Sequence, residues 1–403
     1  MDRPAPETPA AQATAPRVRP ATPVPVFIGS EIYRSTSYGG RHPLRVPRVS
    51  TVMDLCRAMG WLPAEQYRTS PRARPAALEL WHHPEYIAAL QEAEAIGKAS
   101  PEIQARFGLG TLSNPVFPEM FRRPATGAGG AMLAAELLAG GGIVHLPGGG
   151  THHGMPDRAN GFCYLNDVVL GMIALRHMGV RRLAYVDIDA HHADGVEAGF
   201  AGDPEALLIS VHEAGRWPFS GTLEEDGGGN CFNLPVPRGF NDSEMRAVLQ
   251  DLILPRVTDF RPDAVILQCG ADALEEDPLA RLGLSNNAHI EVLRALRPLA
   301  PRLLVLGGGG YNPWSVGRLW SRVWADLTGA AIPERLPPAA EAVLRGLDWR
   351  GGGRSMPPET MVTTLRDLPR EGMVRPEIRA ALGALVRRDT IAVRNPREPT
   401  GRG

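Results

Sequence analysis

The sequence predicts an α/β fold with one central, mostly parallel sheet flanked by helices, and three features predict it. Short apolar runs recur at residues 142–146, 183–186, 206–211, 264–267 and 303–306. Helical patterns, such as residues 167–177 and 243–257, separate most of them, as expected of βαβ units. Each run then ends in glycine and polar residues, and parallel sheets bind ligands outside the carboxyl ends of their strands.

In chain order, residues 1–23 are rich in Pro, Ala and Thr and are predicted to be disordered. The run 24–28, bounded by Gly29, reads as a first strand, and residues 39–44 as a loop. Residues 47–50 lead into an amphipathic helix through Val52, Leu55, Cys56 and Met59, stopped by Gly60. A second helix starts near Pro84 and carries Tyr86, Ile87 and Leu90. After a polar loop at 107–115, a Gly/Ala-rich helix over 124–138 is suited to close packing. Trp320 and Trp324, four apart, read as the core face of another helix. Beyond Thr328 the signal fades: Gly351, Gly352 and Gly353 look linker-like, residues 376–387 suit one short helix, and the tail from Asn395 is polar. The expected division is a tail at 1–23, one folded catalytic domain at 24–330, and a partly helical extension with a frayed end at 331–403.

Composition excludes several classes. Lys plus Arg number 43 and Asp plus Glu 44, which gives no electrostatic reason for a nucleic-acid partner. The four cysteines, Cys56, Cys163, Cys231 and Cys269, lack Cys-x-x-Cys spacing; neither a disulfide framework nor a cysteine zinc site is expected. No apolar stretch approaches the ~20 residues of a membrane span, and the N-terminus lacks a basic-then-apolar signal pattern. A reducing, cytoplasmic setting is the expectation.

The chemistry centres on Val186-Asp187-Ile188-Asp189-Ala190-His191-His192-Ala193-Asp194. If the chain stays extended past Val186, then Asp187, Asp189 and His191 share one side. Carboxylates and an imidazole gathered there repel and desolvate one another unless a cation joins them. A solvated polar loop is the bland alternative, and the other strand ends weigh against it. Asp189, His191 and Asp272 make a three-ligand set of the kind a catalytic zinc uses, with a position open for water, and zinc-bound water is acidic near neutral pH. Of the adjacent pair His152 and His153, one imidazole can take that water's proton and return it to a leaving group. Asp187 and Asp194 are candidates to orient these imidazoles. Tyr311, after four glycines, can offer its phenol to a developing oxyanion. The same glycines, Gly307 to Gly310, lack the context of a phosphate-binding loop. His82-His83 lies at a helix start and is assigned no catalysis, and Cys163 reads as a packed thiol.

These motifs resemble the histone deacetylase superfamily, the arginase-like zinc deacetylases, and are most similar to its class I side and the bacterial acetoin-utilisation deacetylase group. The residues that carry the resemblance are Gly148-Gly149-Gly150-Thr151-His152-His153, Asn160-Gly161-Phe162-Cys163-Tyr164-Leu165-Asn166-Asp167, the central stretch continued through Gly195-Val196-Glu197, Gly270-Ala271-Asp272, and Gly307-Gly308-Gly309-Gly310-Tyr311-Asn312. The resemblance spans about residues 25–328. It implies a single arginase/deacetylase-type domain with one Zn²⁺ on Asp189, His191 and Asp272, Fe²⁺ being the alternative metal. His153 would be the general base and then acid, with His152 as its electrostatic partner; Asp194 would pair with His153 and Asp187 with His152. Tyr311 would polarise the acyl carbonyl. Phe162 and Phe219 would wall a substrate tunnel beside Gly161, and Arg48 would stand near an acetate channel. A structural K⁺ would take side chains of Asp187, Asp189 and Ser210 and backbone oxygens of His191 and Val211.

Three departures bear on the substrate. Where many relatives carry a rim aspartate, this chain has Thr111-Leu112-Ser113-Asn114-Pro115; Ala193 replaces a usual glycine; and Trp217-Pro218-Phe219-Ser220 alters the usual Phe-Pro pattern. The implied activity is zinc-dependent hydrolysis of an acyl amide, foremost deacetylation of N6-acetyl-lysine in proteins. An acetylpolyamine or other small acylated amine is the alternative substrate, and a non-catalytic acyl-lysine binder is the third reading. Arginase-type chemistry would need a carboxylate at position 274, where Leu274 stands.

Overall fold

The computed structural model describes residues 24–35, 38, 42–349 and 357–388. Eight strands form one parallel sheet: β1 (Val26–Gly29), β2 (Tyr67–Thr69), β3 (Gly142–Leu146), β4 (Leu183–Asp187), β5 (Ala206–Glu213), β6 (Cys231–Val236), β7 (Ala264–Gln268) and β8 (Arg302–Leu306), in spatial order β2-β1-β3-β8-β7-β4-β5-β6. Every residue of β3, β4, β5 and β7 is buried. Both faces of the sheet are covered, so these strands read as continuous apolar runs rather than alternating ones. Side-chain alternation still divides the core. Leu183 and Tyr185 join one cluster with Leu146, Leu208 and Leu304, whereas Ala184 and Val186 join the other with Ile209, Leu267 and Val305.

The Gly/Ala-rich helix runs Arg122–Leu138 and packs tightly against the helix Asp167–His177. A Cβ on Gly171 would stand 3.1 Å from the Ala131 Cβ, and one on Gly129 only 2.1 Å from the Pro71 carbonyl oxygen. Small residues are therefore a packing requirement here.

The strand at 24–28 is observed as Val26–Gly29, and two strands escaped the sequence reading. Tyr67–Thr69 is a three-residue, partly exposed edge strand, and Cys231–Val236 is the opposite edge and contains Pro235. Both lack the long apolar signature, and proline is tolerated at a sheet edge. The pattern at 243–257 is not one regular helix. A capping box of Asn241 and Glu244 starts it at Asp242, a π-turn occupies Leu249–Ile253, and the helix resumes to Phe260. Pro255 in the resumed turn has no N–H to donate, which fits a locally widened ladder.

The described part of the C-terminal extension, residues 331–349 and 357–388, is docked on the domain. The helix Pro376–Val386 buries Ile378, Leu382 and Leu385 in the main core, and Arg256 donates to the Leu385, Val386 and Arg388 carbonyls at 2.8 Å each. Helices Pro338–Arg345 and Glu359–Thr363 pack on Leu55 and Trp314. The expectations for residues 1–23, for Gly351 to Gly353 and for the tail from Asn395 lie outside the described residues. Among those residues, no helix is long and apolar enough to cross a membrane.

His145 on β3 is wholly buried, with its ring edge-on to Phe27 and stacked on Trp324; Nδ1 faces the Val305 carbonyl at 3.2 Å and Nε2 has no partner. Burial holds this imidazole down at about 4. The unfolded chain therefore takes up a proton near pH 6.5 that the native state refuses, and stability is lost as pH falls from there toward 4. Relative to His145→Gln, the wild type should lose about 2 kcal/mol between pH 7.5 and pH 5. A gap in unfolding free energy that stays constant with pH would contradict this.

Candidate active site

The strands β3, β8, β7 and β4 lie side by side although their sequences are far apart, so four consecutive carboxyl ends share one rim. The loop after β4 supplies most of the chemistry. The strand ladder ends at Asp187, and the chain then turns on its own carboxylates: Asp187 Oδ1 accepts the Asp189 N–H and Asp189 Oδ1 accepts the His191 N–H, both at 2.9 Å. Successive side-chain-to-backbone bonds, not an extended strand, therefore bring Asp189 and His191 together. From β7, Asp272 Oδ1 accepts the Ala190 N–H at 3.0 Å, and from β8 the Gly309 N–H reaches Asp189 Oδ2 at 2.6 Å.

One donor atom each from Asp189, His191 and Asp272 lie within 4.8 Å of one another. His191 Nδ1 stands 3.2 Å from Asp189 Oδ1 and 2.9 Å from Asp272 Oδ2. Burial opposes a charge on His191, yet the two carboxylates overcome it and push the imidazole up to about 10. Burial and the Asp189 charge raise the Asp272 carboxyl. The cluster thus calls for positive charge, and two carboxylate oxygens with one imidazole nitrogen are a donor set suited to a divalent ion such as zinc.

Beside it lies the imidazole pair, with ring centroids 3.9 Å apart. His152 Nδ1 meets Asp187 Oδ2 at 2.7 Å, and His153 Nδ1 meets Asp194 Oδ1 at 2.6 Å. Their environments split them. Burial opposes a charge on His152, but Asp187 and Asp189 lift it to about 9, whereas burial and the His152 charge press His153 down to about 4. At neutral pH His153 is accordingly the free base of the pair. Tyr311 is buried, edge-on to Phe162, and its N–H donates to Asp277 Oδ2 at 2.7 Å. Burial and the Asp272 charge raise its phenol, which stays protonated as a donor.

An inner cavity, lined by Arg48, Arg123, Tyr33, Tyr38 and Gly148, leads on from Tyr311, Asp189 and His191. Arg48 Nη1 donates to the Gly308 carbonyl at 2.8 Å, which fixes the loop before Tyr311. Ser210 on β5 pairs in register with Asp187, and its Oγ is 2.9 Å from His212 Nδ1; Val211 follows it, buried.

The mouth differs from expectation at one wall. Phe219 is 73% exposed and lies in the outer cavity, while Trp217 stacks edge-on over His153 with centroids 4.6 Å apart. A Cβ on Gly161 would meet the Trp217 ring at 2.1 Å. Trp217 thus stands against Gly161, His153 and His191 and forms the inner wall where Phe219 was expected. Phe219, at φ +64, lines the outer part of the mouth. The altered Trp-Pro-Phe stretch was the signal that could have found this.

Other supports carried no sequence signal of their own. Asn114 Oδ1 accepts the Phe162 N–H at 3.0 Å and thereby positions a residue held at φ +67. Asp167 accepts from the Thr151 N–H and hydroxyl, bracing the glycine turn before His152. His82, of the pair given no catalysis, accepts the Asn166 N–H at Nε2 and faces the Met155 carbonyl through Nδ1.

With this geometry in hand, comparison with known proteins is specific. Residues 42–327 match the family model described as histone deacetylase domain. The acetoin utilization protein AcuC of Bacillus subtilis (strain 168) is 34% identical over 327 residues, covering 78% of this chain and 84% of its own. Histone deacetylase 9 of Arabidopsis thaliana is 33% identical, covering 75% and 73%. The crystal structure of a histone deacetylase homolog from Aquifex aeolicus superposes with a TM-score of 0.86 at 34% identity, covering 90% of this chain and all of that one. A homolog complexed with SAHA gives 0.85, covering 91% and all of that chain. The chain belongs to the histone deacetylase family.

Proposed function

We propose that the chain hydrolyses the acetyl amide of N6-acetyl-lysine in proteins, using a zinc ion held by Asp189, His191 and Asp272. The observation that carries this reading is the junction of that donor set with a neutral His153 and a protonated Tyr311 on one rim. When bound, the ion supplies Lewis acidity and a water acidic enough to lose its proton near neutral pH. His153, oriented through Nδ1 by Asp194, accepts the proton of the attacking water. Water oxygen adds to the acyl carbon while the Tyr311 phenol donates to the acyl oxygen. His152, paired with Asp187, keeps positive charge beside this step. The C–N bond then breaks, and His153 returns its proton to the leaving amine, giving acetate and a free amine. Gly161, Phe162 and Trp217 line the approach, and Arg48 stands by the inner cavity as the natural contact for departing acetate. A structural K⁺ on Asp187, Asp189, Ser210 and the backbone of His191 and Val211 belongs to the same reading.

Acetylpolyamines are favoured less. A cationic chain would need free acids at the mouth, and Glu213, the acid in that lining, is buried against Arg216. The test is acetate release from an acetyl-lysine peptide, with and without chelator, and after Zn²⁺ is restored. Chelator-sensitive, zinc-rescued release is expected; no release from protein with verified metal would overturn the reading.

A further inference from the structure

We propose that Arg238 and Arg281, with Arg216 behind them, select acylated amines that carry a carboxylate just outside the tunnel. The inference rests on the deacetylase reading and names the substrate class for that site.

The outer cavity, about 670 Å³, opens from His153, His191 and Tyr311 past Trp217. Apart from the catalytic groups, its charged lining is Arg216, Arg238, Arg281 and Glu213, three cations against one anion. Glu213 is 4% exposed and already engaged. Its Oε2 accepts from Arg216 Nε at 2.5 Å and from the Arg281 N–H at 2.8 Å, and its Oε1 accepts from Arg216 Nη2 at 2.8 Å. Glu213 therefore neutralises Arg216 and leaves the other two guanidiniums in excess. Arg281 Nη1 donates to the Pro278 and Ala280 carbonyls of its own loop, and neither Arg281 nor Arg238 makes an ion pair among the described residues.

Both are carried on braced backbone. The Gly239 N–H donates to the Arg281 carbonyl at 2.7 Å, joining the two loops. The Arg238 carbonyl accepts from Arg375 Nη1 at 2.9 Å, and Arg375 is itself paired with the buried Glu244. Two further acids of the loop after β5 are held within their own turns and do not line this cavity: Glu225 accepts the Gly221 N–H at 2.6 Å, and Asp226 accepts the Gly228 N–H.

Two exposed guanidiniums without an ion-pair partner among the described residues direct a positive field from the rim of this cavity at an arriving substrate. Their planar forks match a carboxylate in a way that an amine chain does not. The rim loop Thr111-Leu112-Ser113-Asn114-Pro115 points the same way, since it offers Ser113 to the cavity and no acid. The carboxylate could come from acidic residues flanking an acetyl-lysine or from the α-carboxylate of free N6-acetyl-lysine.

The experiment compares kcat/KM for acetyl-lysine peptides that differ only in two flanking residues, both Glu, both Gln or both Lys, and for free N6-acetyl-lysine against its carboxamide. Glu should exceed Lys by roughly tenfold at low salt, because each exposed charge pair is worth about two- to fivefold, and about 0.5 M salt should collapse the ratio through screening. Preference confined to the peptides, or to the free acid, identifies the source of the carboxylate. Arg238→Glu combined with Arg281→Gln should invert the Glu/Lys ratio, and Arg238→Lys should keep it. Equal rates on all three peptides, or an unchanged ratio in the double variant, would overturn the inference while leaving deacetylation standing. Absence of acetate release even from the Gln peptide would overturn both.

Discussion

Tyr311→Phe is expected to lower kcat on an acetyl-lysine substrate by about 10²–10³-fold, the usual cost of one lost oxyanion donor, with zinc content and KM nearly unchanged. The substitution removes one oxygen and little else. The backbone that sets the ring is held independently of it: the Tyr311 N–H is bound by Asp277, and the preceding loop is anchored by Arg48 through the Gly308 carbonyl. The ring would still pack edge-on to Phe162. None of Asp189, His191 and Asp272 hydrogen-bonds to the phenol. The phenol also has to be a donor at working pH, and burial with the Asp272 charge raises it far enough to ensure this. Zinc analysis beside steady-state acetate release separates the possibilities. A kcat within about threefold of wild type would remove Tyr311 from the chemistry, since even a modest donor contributes more.

The strands that build the rim could be read from the sequence because burial on both faces makes them unbroken apolar runs. The site could be read because its side chains come as compact clusters directly after those runs, at His152-His153, at residues 187–194 and at Asp272. The parts that were not legible depend on contacts across long separations. Phe162 takes its backbone partner from Asn114, 48 residues away, and Tyr311 takes its own from Asp277, 34 residues away. Nothing local to Asn114 or Asp277 announces these roles, because an Asn or Asp in a loop is ordinary turn chemistry. The division of labour between Trp217 and Phe219 was illegible for a related reason: either aromatic could wall a tunnel, and only the folded chain sets Trp217 against His153 and Gly161 and leaves Phe219 in the outer cavity. Glu213 shows the same limit electrostatically: nothing in its sequence neighbourhood marks it as paired, and in the fold it is buried against Arg216.

Gly309→Ala is expected to weaken zinc binding by at least about 100-fold, beyond the usual effect of disturbing a ligand's supporting partner, and to abolish deacetylation in proportion. The reason is steric rather than conformational, since Gly309 does not sit in the left-handed region. A Cβ there would lie 2.0 Å from Asp272 Oδ2 and 2.9 Å from Asp189 Oδ2. Neither carboxylate can yield. Both are fully buried, Asp272 is tied to the Ala190 N–H, and Asp189 is tied to the His191 N–H and to the Gly309 N–H itself. The methyl group must therefore displace a ligand or the loop that carries Tyr311. Gly140→Ala is the control, because a Cβ at Gly140 meets nothing within 4 Å. Zinc retained after dialysis against a mild chelator reads the effect directly, and the apo-protein unfolding temperature reports any general loss of fold. If Gly309→Ala kept wild-type zinc affinity with an intact fold, Asp272 could not be the ligand. If affinity fell while the apo protein remained as stable as Gly140→Ala, the damage would be confined to the donor set, and activity regained at high Zn²⁺ would tie that set to the chemistry.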